Sequence, residues 1–284
     1  MRRRTFDHSP PPPPGLFDLS STLRHFALVT YATDPGLVAQ RLPKRLAPLT
    51  VRLDGAERAF VSVVAFVNGD FRPARLAWPA FDIPQINYRT YVLDSETGRH
   101  AIWFLHSLFD SWLYLAPRVV WQMPWSRARI RIECRRVRQA APPRAAAHAQ
   151  NAQQAGDPAW AEGPYRTYRV TAESGVAPTV LELTQTDEDL GRPVELPGFP
   201  DAETGLACLA HAFLGFYGRR DGRVGLSRVW HPPMPLRPAG LETASFPLLA
   251  RLGFVPEAEQ KRPYSVLLAP TVPFLTRMPP VVSD

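Results

Sequence analysis

Apolar positions along this chain recur mostly with period two, the spacing of strands with one or both faces covered. His25 to Tyr31 and Ala59 to Val67 are continuous β-favouring runs, the second apolar on both alternate faces. Gln85 to Leu93 and Ala101 to Phe109 follow, with Asp94, Ser95 and Gly98 marking a turn between them. Arg127 to Cys134 alternates Ala128, Ile130, Ile132 and Cys134 against Arg127, Arg129, Arg131 and Glu133. Tyr165–Thr171, Thr179–Thr186, Arg223–His231 and Tyr264–Thr271 bring the expectation to about nine or ten strands.

Helical spacing is rarer. Asp34 and Pro35 suit a cap and first turn for a short helix through Arg41. Ser111–Met123 reads as helical with a break at Pro117, and Glu203–Phe216 places Leu206, Leu209, Ala210, Phe213 and Leu214 on one stripe. Gly215–Gly225 reads as a hairpin turning at Asp221-Gly222. The expected class is α+β, mostly β, with a large sheet curled into a barrel or half-barrel under a few covering helices.

Composition supports one large folded domain: 284 residues, 45% hydrophobic and 21% charged. Residues 1–20, with Arg2–Arg4 and the proline run at 10–14, are expected to form a disordered tail. The single domain spans 21–276, with an Ala-, Gln- and Pro-rich excursion at 139–163 and a C-terminal tail at 277–284. No apolar run approaches the ~18 residues of a membrane helix, and no secretory leader is visible, so the cytoplasm is expected. Cys134 and Cys208 are too few for a disulfide scaffold and lack zinc-like spacing.

Charge narrows the chemistry. Of the 33 Lys and Arg residues only Lys44 and Lys261 are lysines. Arginine stays charged and binds carboxylates bidentately, but it cannot serve as an amine nucleophile. The arginines are dispersed and no nucleic-acid motif accompanies them, so no nucleic-acid partner is expected. Neither a dinucleotide fingerprint, a phosphate loop nor a metalloprotease or serine-nucleophile motif is present. No cofactor and no metal are expected.

Three groups of residues carry candidate chemistry. His106 and His231 are acid–base candidates. His106 shares the face of Phe104 and Leu108 by strict alternation and reads sooner as a satisfied core histidine than as a catalytic one; the two prolines after His231 fix where its imidazole points. Asn87, Arg89 and Tyr91 share one strand face, where Arg89 is either an anchor for a substrate carboxylate or an exterior arginine with a neighbouring partner. Arg129 offers the same choice, with Glu133 as its structural partner. Tyr114 and Tyr217 are hydroxyl donors to a substrate oxygen.

Several stretches, taken in order, carry a resemblance. They are Ala59–Val67 with Arg72-Pro-Ala-Arg75, Ile86–Val92, Ile102–Asp110, Ala116–Pro124 running into Arg127-Ala-Arg129, and Val229–Leu236. Together they resemble the YqjF-like family of uncharacterised bacterial proteins, in the acetoacetate decarboxylase-like superfamily. The resemblance covers residues 24 to 275 and implies a β-barrel-like domain with a central cavity. The decarboxylase uses a Schiff-base lysine after a Gly-x-Pro-Lys-Lys stretch. Here the matching stretch is Gln122-Met-Pro-Trp-Ser126, so Trp125 and Ser126 stand where lysines would. The acidic residue of the preceding strand has no counterpart in Asn87-Tyr-Arg-Thr90.

Imine chemistry is therefore disfavoured. The expected function is binding of a small organic acid or carbonyl compound in the cavity, with lysine-independent lyase, hydratase or cyclase-type proton chemistry. His106, His231 and Tyr217 are the catalytic candidates; Asn87, Arg89, Tyr91, Tyr114, Trp125 and Arg129 are the substrate-binding ones. The alternative is a non-catalytic binding or interaction protein whose interior is filled by Trp103, Phe104, Trp112, Trp121 and Trp125. The family fold often assembles into oligomers, which leaves a homo-oligomer open.

Overall fold

A computed structural model describes residues 4–76, 80–137 and 158–283 of the chain. Strand β1 (Leu19–Thr33) leads into helix α1 (Pro35–Ala39), then β2 (Leu46–Pro48), β3 (Val51–Leu53), β4 (Ala56–Pro73), β5 (Phe81–Asp94) and β6 (His100–Phe109). A 3-10 turn at Trp112–Tyr114 precedes α2 (Leu115–Val120), β7 (Trp125–Arg127) and β8 (Arg129–Arg136). Next come β9 (Tyr165–Glu173), β10 (Thr179–Thr184), α3 (Asp187–Gly191) and α4 (Ala202–Leu209). The chain ends with β11 (Leu214–Gly218), β12 (Val224–Trp230), β13 (Arg237–Pro238), β14 (Gly240–Ser245), α5 (Pro247–Arg251) and β15 (Ser265–Ser283).

The strands form a large curled mixed sheet and a smaller one of order β14-β10-β9-β8. Within the large sheet the path β5-β4-β1-β15-β12-β11-β6 returns to its start, because β6 also pairs with β5. The β6–β11 and β6–β7 ladders are parallel, the others around the ring antiparallel. Alternation then decides which side chains meet. Outward residues such as Val29 and Tyr31 of β1, Val61 and Val63 of β4 and Tyr88 of β5 pack against Val170 of β9, Leu181 of β10 and Phe246. Inward residues Leu28, Val64 and Leu267 fill the middle of the ring. One end is closed where Cys208 and Leu209 of α4 pack on Phe60, Tyr91 and Ile102. That plug leaves the other end of the ring for a cavity.

Much of this agrees with the sequence pattern. Apolarity on both faces of Ala59–Val67 reflects a strand covered inside and out, and Asp34 caps α1 by accepting from the Gly36 amide at 2.6 Å. The expected hairpin is present, with Gly222 at φ +82° in its turn. Three expectations change. The helix expected at Glu203–Phe216 stops at Leu209, because Leu214–Gly218 supply the strand that pairs with both β6 and β12. Residues 277–283 of the tail expected at 277–284 are instead the end of β15, held by β12 through pairs such as Val224↔Ser283. Of the disordered tail expected at 1–20, Leu19 and Ser20 already belong to β1, and residues 4–14 carry no regular structure but are hydrogen-bonded to the body. Arg4 and Thr204 exchange bonds of 3.2 Å, His211 Nε2 donates to the Asp7 carbonyl at 3.1 Å and Trp230 Nε1 to that of Ser9 at 3.1 Å. Most of the expected excursion at 139–163 lies outside the described residues.

Candidate functional site

The inner face of β5 reads Gln85, Asn87, Arg89, Tyr91 from the open end of the ring toward the α4 plug. On this strand alternate residues are polar where the neighbouring inner faces are mostly apolar. Asn68 Nδ2 donates to Gln85 Oε1 at 2.8 Å, and Gln85 Nε2 donates to Asn87 Oδ1 at 2.7 Å. This relay uses the Asn87 oxygen as an acceptor and leaves its NH2 group as the donor end.

Above these amides lies a cavity of about 880 Å3. Its walls are largely aromatic and aliphatic, with Phe66, Phe109, Trp121, Trp125 and Phe274 prominent. Trp125 stacks on Phe109 with centroids 4.0 Å apart. Tyr217 lines the wall with its hydroxyl donating to the Trp121 carbonyl at 3.2 Å. A Cβ on Gly225 would fall 2.1 Å from the Tyr217 ring, so the facing strand needs glycine for that ring to lie across it. Ser107 also lines the cavity, and its buried Oγ has no hydrogen-bond partner.

Toward the plug the space continues as a chamber of about 60 Å3 bounded by Asn87, Arg89, Ser227 and His231. The two spaces share Phe66, Asn87, Phe104, Ser227, Val229 and Phe274. Arg89 donates from Nη2 to the Leu209 carbonyl at 2.8 Å and lies over the Tyr91 ring at 5.6 Å. Its buried Nε has no partner, and among the described residues no carboxylate pairs with it. Among the described residues no other side chain lining either space carries a fixed charge.

His231 stacks on Phe274 with centroids 5.5 Å apart and is almost completely buried. Burial, with His211 and Arg89 adding to it, pushes its pKa down to about 3 against the opposing Pro232 hydrogen bond. The imidazole is therefore neutral near pH 7. Nδ1 donates to the Pro232 carbonyl at 2.9 Å, a bond that fixes the tautomer and leaves Nε2 as a lone-pair acceptor.

Not every residue singled out from the sequence comes to this place. Asn87, Arg89, Tyr114, Trp125, Tyr217 and His231 line the connected spaces. Tyr91 lies beneath, its hydroxyl 2.7 Å from Ser62 Oγ in a buried chain that continues to Thr30. His106 faces outward and sits 2.7 Å from Ser126 Oγ. The cause is a bulge: Tyr88 pairs with His106 but Arg89 pairs with Phe104, so Leu105 is extra and Phe104 turns inward. Arg129 belongs to the smaller sheet, is mostly exposed and pairs at 3.6 Å with Glu173, not with Glu133. Nor do the tryptophans fill the interior: Trp103 packs outside the ring and Trp112 is exposed, while Trp121 and Trp125 only wall the cavity.

The fold and the sequence can now be set beside known proteins. The model of family DUF2071, described as "Uncharacterized conserved protein (COG2071)", matches residues 20–273. The chain belongs to this family. No curated protein matches it. Among solved structures it is similar to acetoacetate decarboxylase from Legionella pneumophila, at 15% identity and TM-score 0.55, covering 96% of this chain and 88% of that one. It is also similar to an acetoacetate decarboxylase-like enzyme from Sphingomonas wittichii RW1, at 13% identity and TM-score 0.51 over 94% and 93% of the two chains. A third is the enduracididine biosynthesis enzyme MppR complexed with the condensation product of pyruvate and imidazole 4-carboxaldehyde, at 15% identity and TM-score 0.51 over 96% and 90%. These likenesses establish the fold.

In this DUF2071 member both lysines, Lys44 and Lys261, are exposed and line neither space. Trp125 occupies the cavity wall and Ser126 the contact with His106, at the two positions where the resemblance places lysines. Sequence reasoning missed Asn68, Gln85, Ser107 and Ser227. The first two carried a readable signal, since Gln85 continues the Asn87–Arg89 alternation and Asn68 ends the two-sided run of β4. Ser107 and Ser227 become recognisable only once the bulge in β6 and the β11–β12 register are known.

Proposed function

We propose that this protein binds a carboxylate-bearing organic acid or carbonyl compound inside the ring, with the carboxylate on Arg89. The observation that carries the reading is the half-buried guanidinium facing a chamber with no acidic partner. A cation so placed gains charge-assisted hydrogen bonds from an incoming anion without first breaking an ion pair. The Asn87 NH2 group and the Ser227 hydroxyl supply hydrogen bonds to a second oxygen, and Tyr114 stands at the wall nearer the opening. His231, neutral and carrying an accepting Nε2, is the group for proton exchange with the bound molecule; Tyr217, whose hydroxyl is already engaged, packs against it rather than reacting.

The chemistry that fits is lyase-, hydratase- or cyclase-type proton transfer without an imine, because neither lysine reaches the cavity. The MppR structure with its pyruvate-derived product supports an oxo acid as the first ligand to try. Among the described residues no helix is long and apolar enough to cross a membrane, and the two cysteines are free; we place the protein in the cytoplasm.

Calorimetric titration of wild type and Arg89→Met with 2-oxo and 3-oxo acids and with their uncharged methyl ketone analogues tests the reading. Acids should bind wild type and lose about thirtyfold or more in Arg89→Met, since truncating one member of a desolvated charge pair costs about 2–5 kcal/mol. Equal affinity for acid and ketone, or an Arg89→Met protein that binds acids as wild type does, overturns it.

A further inference from the structure

We infer that the natural ligand is amphiphilic: a monocarboxylic acid whose apolar acyl or aryl tail fills the large cavity while its head group enters the small chamber. The inference rests on the anion reading above and adds the class of molecule.

Three features of the cavity argue for a tail. The first is the division of volume. A chamber of about 60 Å3 suits a carboxylate and little more, whereas the adjoining 880 Å3 lies toward the upper end of the ~300–1,000 Å3 of drug-sized sites. An acid of three or four carbons would leave the larger space vacant, and an empty apolar cavity forgoes packing contacts along its whole wall.

The second is the distribution of polar groups. Among the described residues fixed charge is confined to the Arg89 end, and the lining of the large cavity holds no carboxylate, lysine, arginine or histidine. Its amides are largely spent on one another, Asn68 on Gln85 and Gln85 on Asn87, with a further bond from Asn68 Nδ2 to the Ile83 carbonyl at 3.3 Å. A second ligand charge there would meet no counter-ion, which burial penalises by several kcal/mol. Dicarboxylates and phosphorylated acids are therefore selected against.

The third is the mouth. Leu16, Phe17 and Leu76 line the cavity and are at the same time well exposed, as is Ala116 of α2. An apolar rim continuous with an apolar interior favours a partner that enters with a hydrocarbon surface.

The test is a homologous series: straight-chain C4, C6, C8 and C10 monocarboxylates, the primary alcohol of each length, and the α,ω-dicarboxylates of C8 and C10, titrated calorimetrically into full-length protein. Affinity for monocarboxylates should rise about fourfold per methylene, the factor expected for burying each CH2 in an apolar site. Dicarboxylates of equal length should bind at least tenfold more weakly. Ala116→Trp, which narrows the mouth without touching Arg89, should weaken C10 several-fold and leave C4 unchanged.

The outcomes separate the two readings. Affinity independent of chain length, or dicarboxylates equal to monocarboxylates, overturns the tail while acid-over-alcohol discrimination keeps the Arg89 site. A steep length dependence without discrimination between acid and alcohol, unaltered in Arg89→Met, overturns the anion site and the head-group half of this inference. Failure of every acid to bind removes both.

Discussion

The two faces of the curled sheet are built to different rules. On the outer face, polar groups that enter the core are matched. The Tyr88 hydroxyl meets Thr179 Oγ1 at 2.7 Å, that of Tyr31 donates to the Gln260 carbonyl at 2.7 Å and that of Tyr168 to the His25 carbonyl at 2.7 Å. On the inner side lie Arg89 Nε and Ser107 Oγ, both buried and without partners, beside a cavity the side chains do not fill. Unmatched polar atoms and vacant volume both lower stability. Their concentration on one face means that the second sheet holds the ring together and leaves its interior free for a ligand.

The largest test of this division is Phe246→Ala. Phe246 is fully buried in the outer core, with its ring near those of Tyr31 and Tyr88. Its truncation should cost about 3–5 kcal/mol in denaturant unfolding; a loss below 1 kcal/mol would mean the outer core does not dominate. Acid comes next. Burial pushes the pKa of His100 and His231 down to about 3 and that of His106 down to about 4. The unfolded chain, with histidines near 6.5, takes up protons that the native state refuses, so stability is full above pH 6.5 and falls as the pH drops below it. At pH 5 each of the three should have lost about 2 kcal/mol, visible as a falling midpoint in calorimetric scans at pH 7, 6 and 5.

Asp94 acts in a separate window. Its bidentate pair with Arg45, at 2.7 and 2.8 Å, holds its pKa down at about 2 against burial, so its contribution disappears only as the pH falls from 3.8 toward 2. Smaller still should be the cost of Arg89→Met to the unliganded fold. The substitution removes one bond to a carbonyl, the guanidinium's contact with the Tyr91 ring and one unmatched donor, so thermal scans should show a change within about 1 kcal/mol. A loss as large as that of Phe246→Ala would make Arg89 a structural residue. Arg129→Ala, at an exposed position of the smaller sheet, should change unfolding by no more than about 0.5 kcal/mol and leave acid binding untouched.

Strand alternation made most of the ring visible in advance, and it put Asn87, Arg89 and Tyr91 on one face because β5 is regular there. It failed wherever the backbone departs from that period. One extra residue at Leu105 moved His106 to the outside, a displacement no hydrophobicity pattern encodes, since Phe104, Leu105 and Leu108 are all apolar. Arg89 and Arg129 were indistinguishable in sequence because each lies on an alternating strand. What separates them is the sheet to which the strand belongs, decided by pairing between segments distant in the chain. Short β2, β3 and β13 were invisible for the related reason that two or three residues carry no period.

The contact between Asp7 and His211 gives the first residues a bearing on the chamber. His211 is the neighbour of His231, ring to ring at 4.9 Å, and the peptide around Asp7 and Ser9 lies on its far side. A polypeptide lacking only residues 1–9 would retain every lining residue of both spaces while admitting water behind the imidazole pair. Its His231 would then titrate closer to an ordinary histidine, so the protonation state in which the chamber meets its ligand depends on an N-terminal stretch that lines neither space.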